Sequence, residues 1–593
     1  MRKIVALGFL TFCFVLSLAQ SNSTHIRINL LGYLPTDQKV AIAFSNKPIK
    51  GKFELVDTSG KVVFTGNVTA SAEPGYDNFN YYYHLDFSAF QQEGNYVIRI
   101  PRQSASASFS ISKNAFGNYH EDLLVFMRQQ RCGYNPFFDH TCHEKDGRAM
   151  GGPMPDSTYV DARGGWHDAG DQLKYLITAS NSVARMIMAY QFFPEKFSDQ
   201  VNALGQPGSN NIPDVLDEAK WGLDWIHNLH PSPGLLFHQV ADDRDHIGWK
   251  LPMNDPSNYG WGKNSYRVVY FASGKPQGLG KYKSEATGIA NLAGRSAAAM
   301  ALGYQVWKNN LHDEAYALKC LAAAEDLYRM GKEQEGFQQG NSFGAPYRYN
   351  EDTWTDDMEW AATELYRSTG KKEYLNDAKK YAIATNTLSW IEKDTTSHYQ
   401  RYPFMNIAHY ALYDLVDDDF KKNLASYYKT GIERTLVRAN KNAFHHGVPF
   451  IWCSNNLTTD LILQVLLYER MTGDQQYHSY ALAMRDWLLG RNPWGTSMFM
   501  NIPRKGEFPV DVHTSTWALT KKEVPGGLVD GPIYTSIFNK LLGLKLNEPD
   551  EFAPFQNSYV VYHDDIGNYA TNEPTMDGTA CAIMLLAWFA QDK

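Results

Sequence analysis

From residue 25 to 112 the apolar positions come in short runs, alternating with polar ones or nearly continuous. IRINLLGYLP, KVAIAF, KFELVDTSGKVVFTG, YYYHLDFS, NYVIRIP and SASFSIS each have room for one or two strands, and turn formers such as Asp57-Thr58-Ser59-Gly60 separate them. This pattern predicts a small β-sandwich over residues 24–112. After Asn114 the period changes to that of a helix. Apolar residues recur at helical spacing over 115–131, 172–193, 213–230, 285–308, 313–330, 358–370, 373–385, 458–473, 477–489 and 575–590. Many of these stretches are Ala-rich and apolar on more than one side, as in SAAAMALGY, so they are expected to be buried on several faces. The loops between them are long and rich in Gly, Pro, Trp and Asn, and long loops in a compact domain are usually functional. The reading is mainly α over 114–593: a toroid of paired helices, with no strict repeat of the solenoid kind.

Composition narrows the function. Of 593 residues, 44% are hydrophobic and 20% charged, which supports a packed core rather than disorder. Aromatics reach 14%, and sugar rings present C–H faces that stack on such rings, although a large aromatic core reads the same way. The net charge is −8 with no long basic run, so the cationic footprint of a nucleic-acid binder is missing. MRKIVALGFLTFCFVLSLAQ has a basic start, an apolar run and a small-residue end. It reads as a secretory signal peptide over 1–19, with Cys13 poorly placed for lipidation. No later stretch is long and apolar enough to span a bilayer. The expectation is an exported monomer, periplasmic or secreted. Five cysteines remain beyond the leader, an odd number, so at least one has no internal disulfide partner.

Three constellations carry candidate chemistry. In GGWHDAGDQLKY (164–175), Asp168 and Asp171 are separated only by Ala and Gly, which lets the chain turn sharply and aim both carboxylates at one cleft. Two close like charges raise the pKa of at least one, which suits a base that takes a proton from water. Equally, Asp171 can be an N-cap for the helix that follows. In YHDDIGNYATNEPTMDGTA (562–580), Glu573 stands at the mouth of the last apolar helix, where a carboxylate also serves simply to meet the helix dipole. Two separated carboxylate sites are what glycosidic cleavage needs, one acid for the leaving oxygen and one carboxylate for water. In RCGYNPFFDHTCHEKDG (131–147), Cys132, Cys142 and His143 join His167 to make a closed tetrahedral zinc set, with a Cys132–Cys142 disulfide as the other reading. A zinc here has no open position and would pin the loop that carries Asp168 and Asp171.

These motifs, with NLLGYLP (29–35), NIPDVLDEAKWGLDWI (211–226), TDDMEWAATELYRSTG (355–370), DWLLGRNPWG (486–495) and GGLVDGP (526–532), run in order along nearly the whole chain beyond the leader. Together they resemble glycoside hydrolase family 9, in the branch with an N-terminal immunoglobulin-like domain. The resemblance implies an (α/α)6 barrel and inverting hydrolysis of β-glycosidic bonds, most often internal β-1,4 bonds of cellulose and related glucans. It implies Asp171 as base, Asp168 as a holder of the attacking water, Glu573 as acid, and structural zinc on Cys132, Cys142, His143 and His167. Asp356 matches a family aspartate near the cleft that is sometimes involved in calcium binding, so calcium is a second possible ion.

One departure stands out. Where the family usually has a His-His-Arg run that binds substrate, this chain reads FPVDVHTSTW (508–517), with His513 at the first histidine and Ser515 at the arginine. The loss of a rigid guanidinium fork changes how sugar hydroxyls are held. Trp166, Trp452 and Tyr569 are candidate sugar platforms, or core. The partner expected is a β-glucan polysaccharide or oligosaccharide cut as by an endoglucanase. The alternatives are an exo-acting β-glucosidase or glucosaminidase, an endo-enzyme on xyloglucan or mixed-linkage glucan and, more distantly, an inactive carbohydrate-binding protein. The N-terminal unit shows no row of exposed aromatics and reads as a support for the barrel.

Overall fold

The computed structural model describes residues 24–76, 78–278, 282–345, 348–386 and 407–591. The leader assigned to 1–19, with Cys13, lies outside them. Nine strands form the N-terminal unit: β1 (His25–Arg27), β2 (Val40–Ser45), β3 (Lys52–Asp57), β4 (Val62–Asn67), β5 (Thr69–Ala70), β6 (Tyr81–Asp86), β7 (Gly94–Ile100), β8 (Ser104–Ala105) and β9 (Phe109–Ile111). They make two antiparallel sheets, β1-β2-β6-β5 and β4-β3-β7-β8 with β9 also on β7, an immunoglobulin-like sandwich. Phe53, Leu55, Leu85, Phe87 and Ile98 fill the space between the sheets.

The continuous apolar run of β2 has a physical cause. Ala41 and Ala43 point into the sandwich, while Ile42 and Phe44 point the other way, into the core of the second domain. Strand β6 divides likewise, with Tyr83 and Leu85 inward and Tyr82 on the barrel. A strand covered on both faces loses the polar alternation of a half-exposed one.

Two of the sequence motifs meet at this seam. Leu30 N donates to Leu489 O at 2.7 Å and Asn29 Nδ2 to Asp486 Oδ1 at 2.8 Å. Arg485, fully buried, pairs with Asp37 across the seam at 2.9 Å. Gly490 has φ +114°, and a Cβ there would lie 2.6 Å from Leu30 Cγ, so the close approach requires glycine. Tyr76 stacks on Phe444 with ring centroids 5.6 Å apart.

Among the described residues the second domain holds twelve principal helices. They are α1 (Tyr119–Gln129), α2 (Leu176–Phe192), α3 (Asp214–Leu229), α4 (Ala290–Asn309), α5 (Glu314–Glu333), α6 (Thr355–Thr369), α7 (Lys372–Thr385), α8 (Ile407–Tyr413), α9 (Asp418–Ala439), α10 (Ser454–Thr472), α11 (His478–Leu488) and α12 (Met576–Phe589). Helices α2, α4, α6, α8, α10 and α12 pack in sequence, and α12 returns to α2 to close the ring. The other six lie outside against them, which is an (α/α)6 barrel. Helix α2 is buried from Leu176 to Ala189 and α10 from Ser454 to Tyr468, which explains their apolar breadth. Outer helix α9 buries only a stripe that includes Leu424, Tyr428, Ile432 and Ala439, among many charges.

Ten of the twelve helices fall on the stretches predicted from periodicity. Helices α8 and α9 do not: α8 has seven residues, and the narrow stripe of α9 is diluted by Lys and Asp. A four-stranded sheet within this domain was also not foreseen. It consists of β10 (Arg148–Met150), β11 (Lys174–Tyr175), β12 (Phe237–Val240) and β13 (Val268–Phe271), in the order β10-β13-β12-β11. Strand β11 directly follows the Asp168–Asp171 loop and anchors it.

Candidate active site

The loop 168–171 is closed by Asp168 N donating to Leu173 O at 2.9 Å. Helix α2 begins only at Leu176, with Tyr175 at the N-cap position and no side-chain cap. Asp171 is therefore not the cap of that helix. Its Oδ1 accepts from Leu173 N at 3.0 Å, and its Oδ2 faces His246 Nε2 at 3.4 Å. Burial alone would lower the pKa of His246, but the hydrogen bond and charge of Asp171, with Asp245, outweigh it and raise it.

Asp168 lies deeper. Thr178 Oγ1 donates to its Oδ1 and the Tyr349 hydroxyl to its Oδ2, both at 2.7 Å. Burial, then the charges of Asp577 and Asp171, push its pKa well above the usual carboxylate range despite those donors.

Glu573 meets the same loop. Gly170 N donates to Glu573 Oε1 at 2.9 Å, so the acid candidate is tied to the loop of the two aspartates. A Cβ at Gly170 would lie 2.3 Å from His513 O and 2.8 Å from Glu573 Oε1, which accounts for the glycine. The backbone of Glu573 is fixed by a short antiparallel pair in which Val529 faces Pro574, and Asp530 N donates to Glu573 O at 2.9 Å. Its carboxyl is raised well above the glutamate range by burial first, then by Asp530 and Asp171. A carboxyl held neutral in this way is a proton donor. Last helix α12 starts at Met576, and no side chain caps it, so Glu573 is not a cap either. Neighbouring Asp564 and Asp565 accept loop N–H groups, from Val510 and Asp511 and from Asn547, Glu548 and Gly567, and hold the loops in place.

His513 sits beside this pair. Its Nδ1–H donates to Ile566 O at 2.6 Å, and burial lowers its pKa to about 4, so the ring is neutral. A row of rings runs past it. Trp452 stacks on Tyr569 at 5.9 Å, Tyr569 meets His513 at 6.0 Å, and His513 meets Trp249 edge-on at 4.7 Å. Ser515 Oγ, at the position of the missing arginine, accepts from Lys250 N at 3.2 Å.

The sugar-platform expectation for Trp166 is corrected. Trp166 is fully buried, donates from Nε1 to Glu218 Oε1 at 2.7 Å and packs on Gly222, so it is core and stacks on no sugar. Asp356 is 4% exposed and belongs, with Glu351 and Asp357, to a cluster around the Arg295 guanidinium at 2.5–3.6 Å. These carboxylates gather like calcium ligands, but a fixed cation already lies among them.

His246, Tyr349, Thr178, Asp530 and Trp249 were not found from sequence. A signal existed for Asp530, inside GGLVDGP, and beside His246 in the Asp-rich stretch DDRDHIGWK for the aromatic Trp249. It is 41% exposed, so Trp249→Ala is expected to leave folding intact and raise KM for cellohexaose about tenfold with little change in kcat, the signature of lost uniform binding. Unchanged steady-state kinetics would remove it from the binding surface.

The four proposed metal ligands converge. Cys132 and Cys142 are unbridged, which corrects the disulfide reading. Cys132 Sγ lies 3.7 Å from His143 Nδ1, Cys142 Sγ 4.0 Å from His167 Nε2, and the two ring nitrogens are 3.3 Å apart. Tetrahedral zinc with Zn–S of about 2.3 Å and Zn–N of about 2.0 Å has edges of about 3.3–3.8 Å, so the set fits that ion. Burial would raise the Cys132 thiol, but the Cys142 hydrogen bond, the Lys174 ammonium and the two histidines bring it well below the ordinary thiol range. His143 turns its other nitrogen to Asp255 Oδ2 at 3.2 Å, the outer carboxylate that orients many metal-binding histidines.

Comparison with known proteins bears on the family and the fold. The glycosyl hydrolase family 9 profile matches residues 116–586, and that of the cellulase N-terminal Ig-like domain matches residues 21–105. Endoglucanase D of Acetivibrio thermocellus is 27% identical over 497 residues, covering 80% of this chain and 72% of that protein. A xyloglucan-specific endo-β-1,4-glucanase of Bacteroides ovatus is 25% identical over 594 residues, covering 94% and 92%. The crystal structure of a metagenome-derived glycoside hydrolase family 9 endoglucanase superposes with a TM-score of 0.75 at 24% identity, over 96% of this chain and 99% of that one, which shows the shared fold.

Proposed function

The chain belongs to glycosyl hydrolase family 9, and we propose that it is an exported endo-β-1,4-glucanase that cleaves cellulose or a related β-glucan with inversion. The observation that carries this reading is the hydrogen bond from Gly170 N to Glu573 Oε1, which fixes a buried glutamic acid, its pKa pushed upward by burial, against a loop bearing two aspartates. Asp171 takes a proton from water, which attacks the anomeric carbon from the face opposite the leaving group. Glu573 gives its proton to the departing glycosidic oxygen. Asp168, held by Thr178 and Tyr349, accepts a second hydrogen bond from that water, and His246 keeps the Asp171 carboxylate aimed at it. Trp452, Tyr569, His513 and Trp249 line the path of the glucan.

Product sizes test the endo reading. Cellohexaose should yield cellobiose to cellotetraose; release of glucose alone would replace it with an exo-acting enzyme. Xyloglucan is the second substrate to compare, because the full-length similarity to a xyloglucan-specific relative covers this chain almost end to end. A faster rate on xyloglucan than on unbranched glucan would assign the chain to the branched polymer. Export rests on the leader-like start of the sequence, and among the described residues no helix is long and apolar enough to cross a membrane.

Zinc held by Cys132, Cys142, His143 and His167 supplies a structural crosslink with no open coordination position. Purified protein is expected to carry about one zinc per chain, and Cys142→Ser to carry none and to melt at lower temperature. Zinc-free wild-type protein of full stability would contradict this.

A further inference from the structure

The loop 241–267 between β12 and β13 touches both the base and the metal-ligand set. At one end His246 faces Asp171, and Asp245 Oδ2 accepts from Gln172 N, the residue after the base, at 2.8 Å. At the other end Asp255 Oδ2 meets His143 Nε2. Lys250 stands between them. Its Nζ donates to Asp245 Oδ1 at 2.7 Å, to Asp255 Oδ1 at 2.7 Å and to Ser257 Oγ at 2.6 Å, so all three of its protons are used. Its carbonyl accepts from Gln172 Nε2 at 2.9 Å. Lys250 is 6% exposed, Asp255 3% and Asp245 1%. A buried ammonium in this setting is costly unless each carboxylate stays in place, so a shift at one end is resisted at the other.

We propose that Lys250 is a positioning residue that couples the Cys2His2 centre to the catalytic base: one ammonium fixes both the carboxylate that orients His143 and the carboxylate that fixes the backbone beside Asp171. The proposal rests on the zinc reading above. A second tie runs through Arg267, which donates to Gln172 O at 2.6 Å and pairs with Asp146. Loss of the Lys250 link is therefore expected to weaken the coupling rather than abolish the site.

The test uses the full-length, zinc-loaded protein and Asp245→Asn. Asparagine keeps an acceptor for Gln172 N but removes the charge paired with Lys250, and residue 245 does not touch a metal ligand. Zinc release is followed with the chromogenic chelator 4-(2-pyridylazo)resorcinol, and kcat and KM are measured on cellohexaose. The expected result is zinc release at least fivefold faster together with a roughly tenfold lower kcat at nearly unchanged KM, a coupling of the usual size between linked sites. Asp255→Asn, which does not touch Asp171, should lower kcat in the same way. Asn29→Ala, which loosens the domain seam, should lower the melting temperature and move neither readout. Wild-type zinc release from zinc-loaded Asp245→Asn would overturn the coupling alone, as would equal acceleration in Asn29→Ala. Wild-type protein that binds no zinc would remove the zinc reading and the coupling together. Should Asp245→Asn fail to fold, Ser257→Ala removes only the third acceptor, and a change in one readout without the other would overturn the proposal.

Discussion

Glu573→Gln protein is expected to hydrolyse cellohexaose about 10²–10⁴-fold more slowly than wild type, yet to cleave 2,4-dinitrophenyl β-cellobioside at nearly the wild-type rate. The difference follows from the leaving group. A sugar alkoxide must be protonated as the bond breaks, and glutamine has no proton of suitable acidity to give. Dinitrophenolate leaves without help. Asp171→Asn removes the proposed base and should lose both substrates alike, because attack by water is needed in each case. The pH profile separates the proposed roles again. As the proposed acid, Glu573 is active while protonated, so kcat/KM should fall as pH rises through its pKa. Burial with Asp530 and Asp171 nearby places that limb above the ordinary glutamate value of about 4.3. With the dinitrophenyl substrate the limb should vanish. Wild-type turnover of cellohexaose by Glu573→Gln would remove the residue from the role of acid.

Removal of the N-terminal domain is the second large effect. A chain starting at residue 114 loses Asn29 and Asp37, the seam partners of Asp486 and Arg485. Arg485 is fully buried in the intact protein and would keep only Asp486 of its two carboxylate partners. It also uncovers the surface on which Ile42, Phe44, Tyr76 and Tyr82 pack. The truncated protein is expected to be insoluble, or to melt at least about 10 °C lower in a thermal scan. A truncated chain that melts within a few degrees of the full-length protein and keeps its activity would show that the sandwich is an independent module.

Much of this architecture was legible in the sequence because each motif has a local reason to exist. NLLGYLP and DWLLGRNPWG are the two halves of one seam, and Gly490 and Gly495 of the second mark its close approach. Gly170 between the aspartates marks another, against His513 and Glu573. Periodicity found the helices with broad apolar faces and missed α9, whose buried stripe is one residue wide for most of its length. Aromatic residues were read poorly. Trp166 and Trp452 look alike in a string of letters, and only packing against Gly222 and Glu218 makes the first a core residue. The same limit hid His246 and Tyr349, whose partners Asp171 and Asp168 lie far away in sequence, while the partners of Lys250 are close in sequence but its burial among them shows only in the fold. The setting of Asp356 was hidden because its spacing shows an acidic residue but not the Arg295 that reaches it from α4.

The most direct test of the account is proton NMR of the products released by the purified full-length protein from cellohexaose in the first minutes, before mutarotation. Asp171 acting on water from the face opposite Glu573 predicts that the new reducing ends appear as the α-anomer. Initial appearance of the β-anomer would mean a double displacement through a covalent intermediate, and would contradict the roles assigned to both residues.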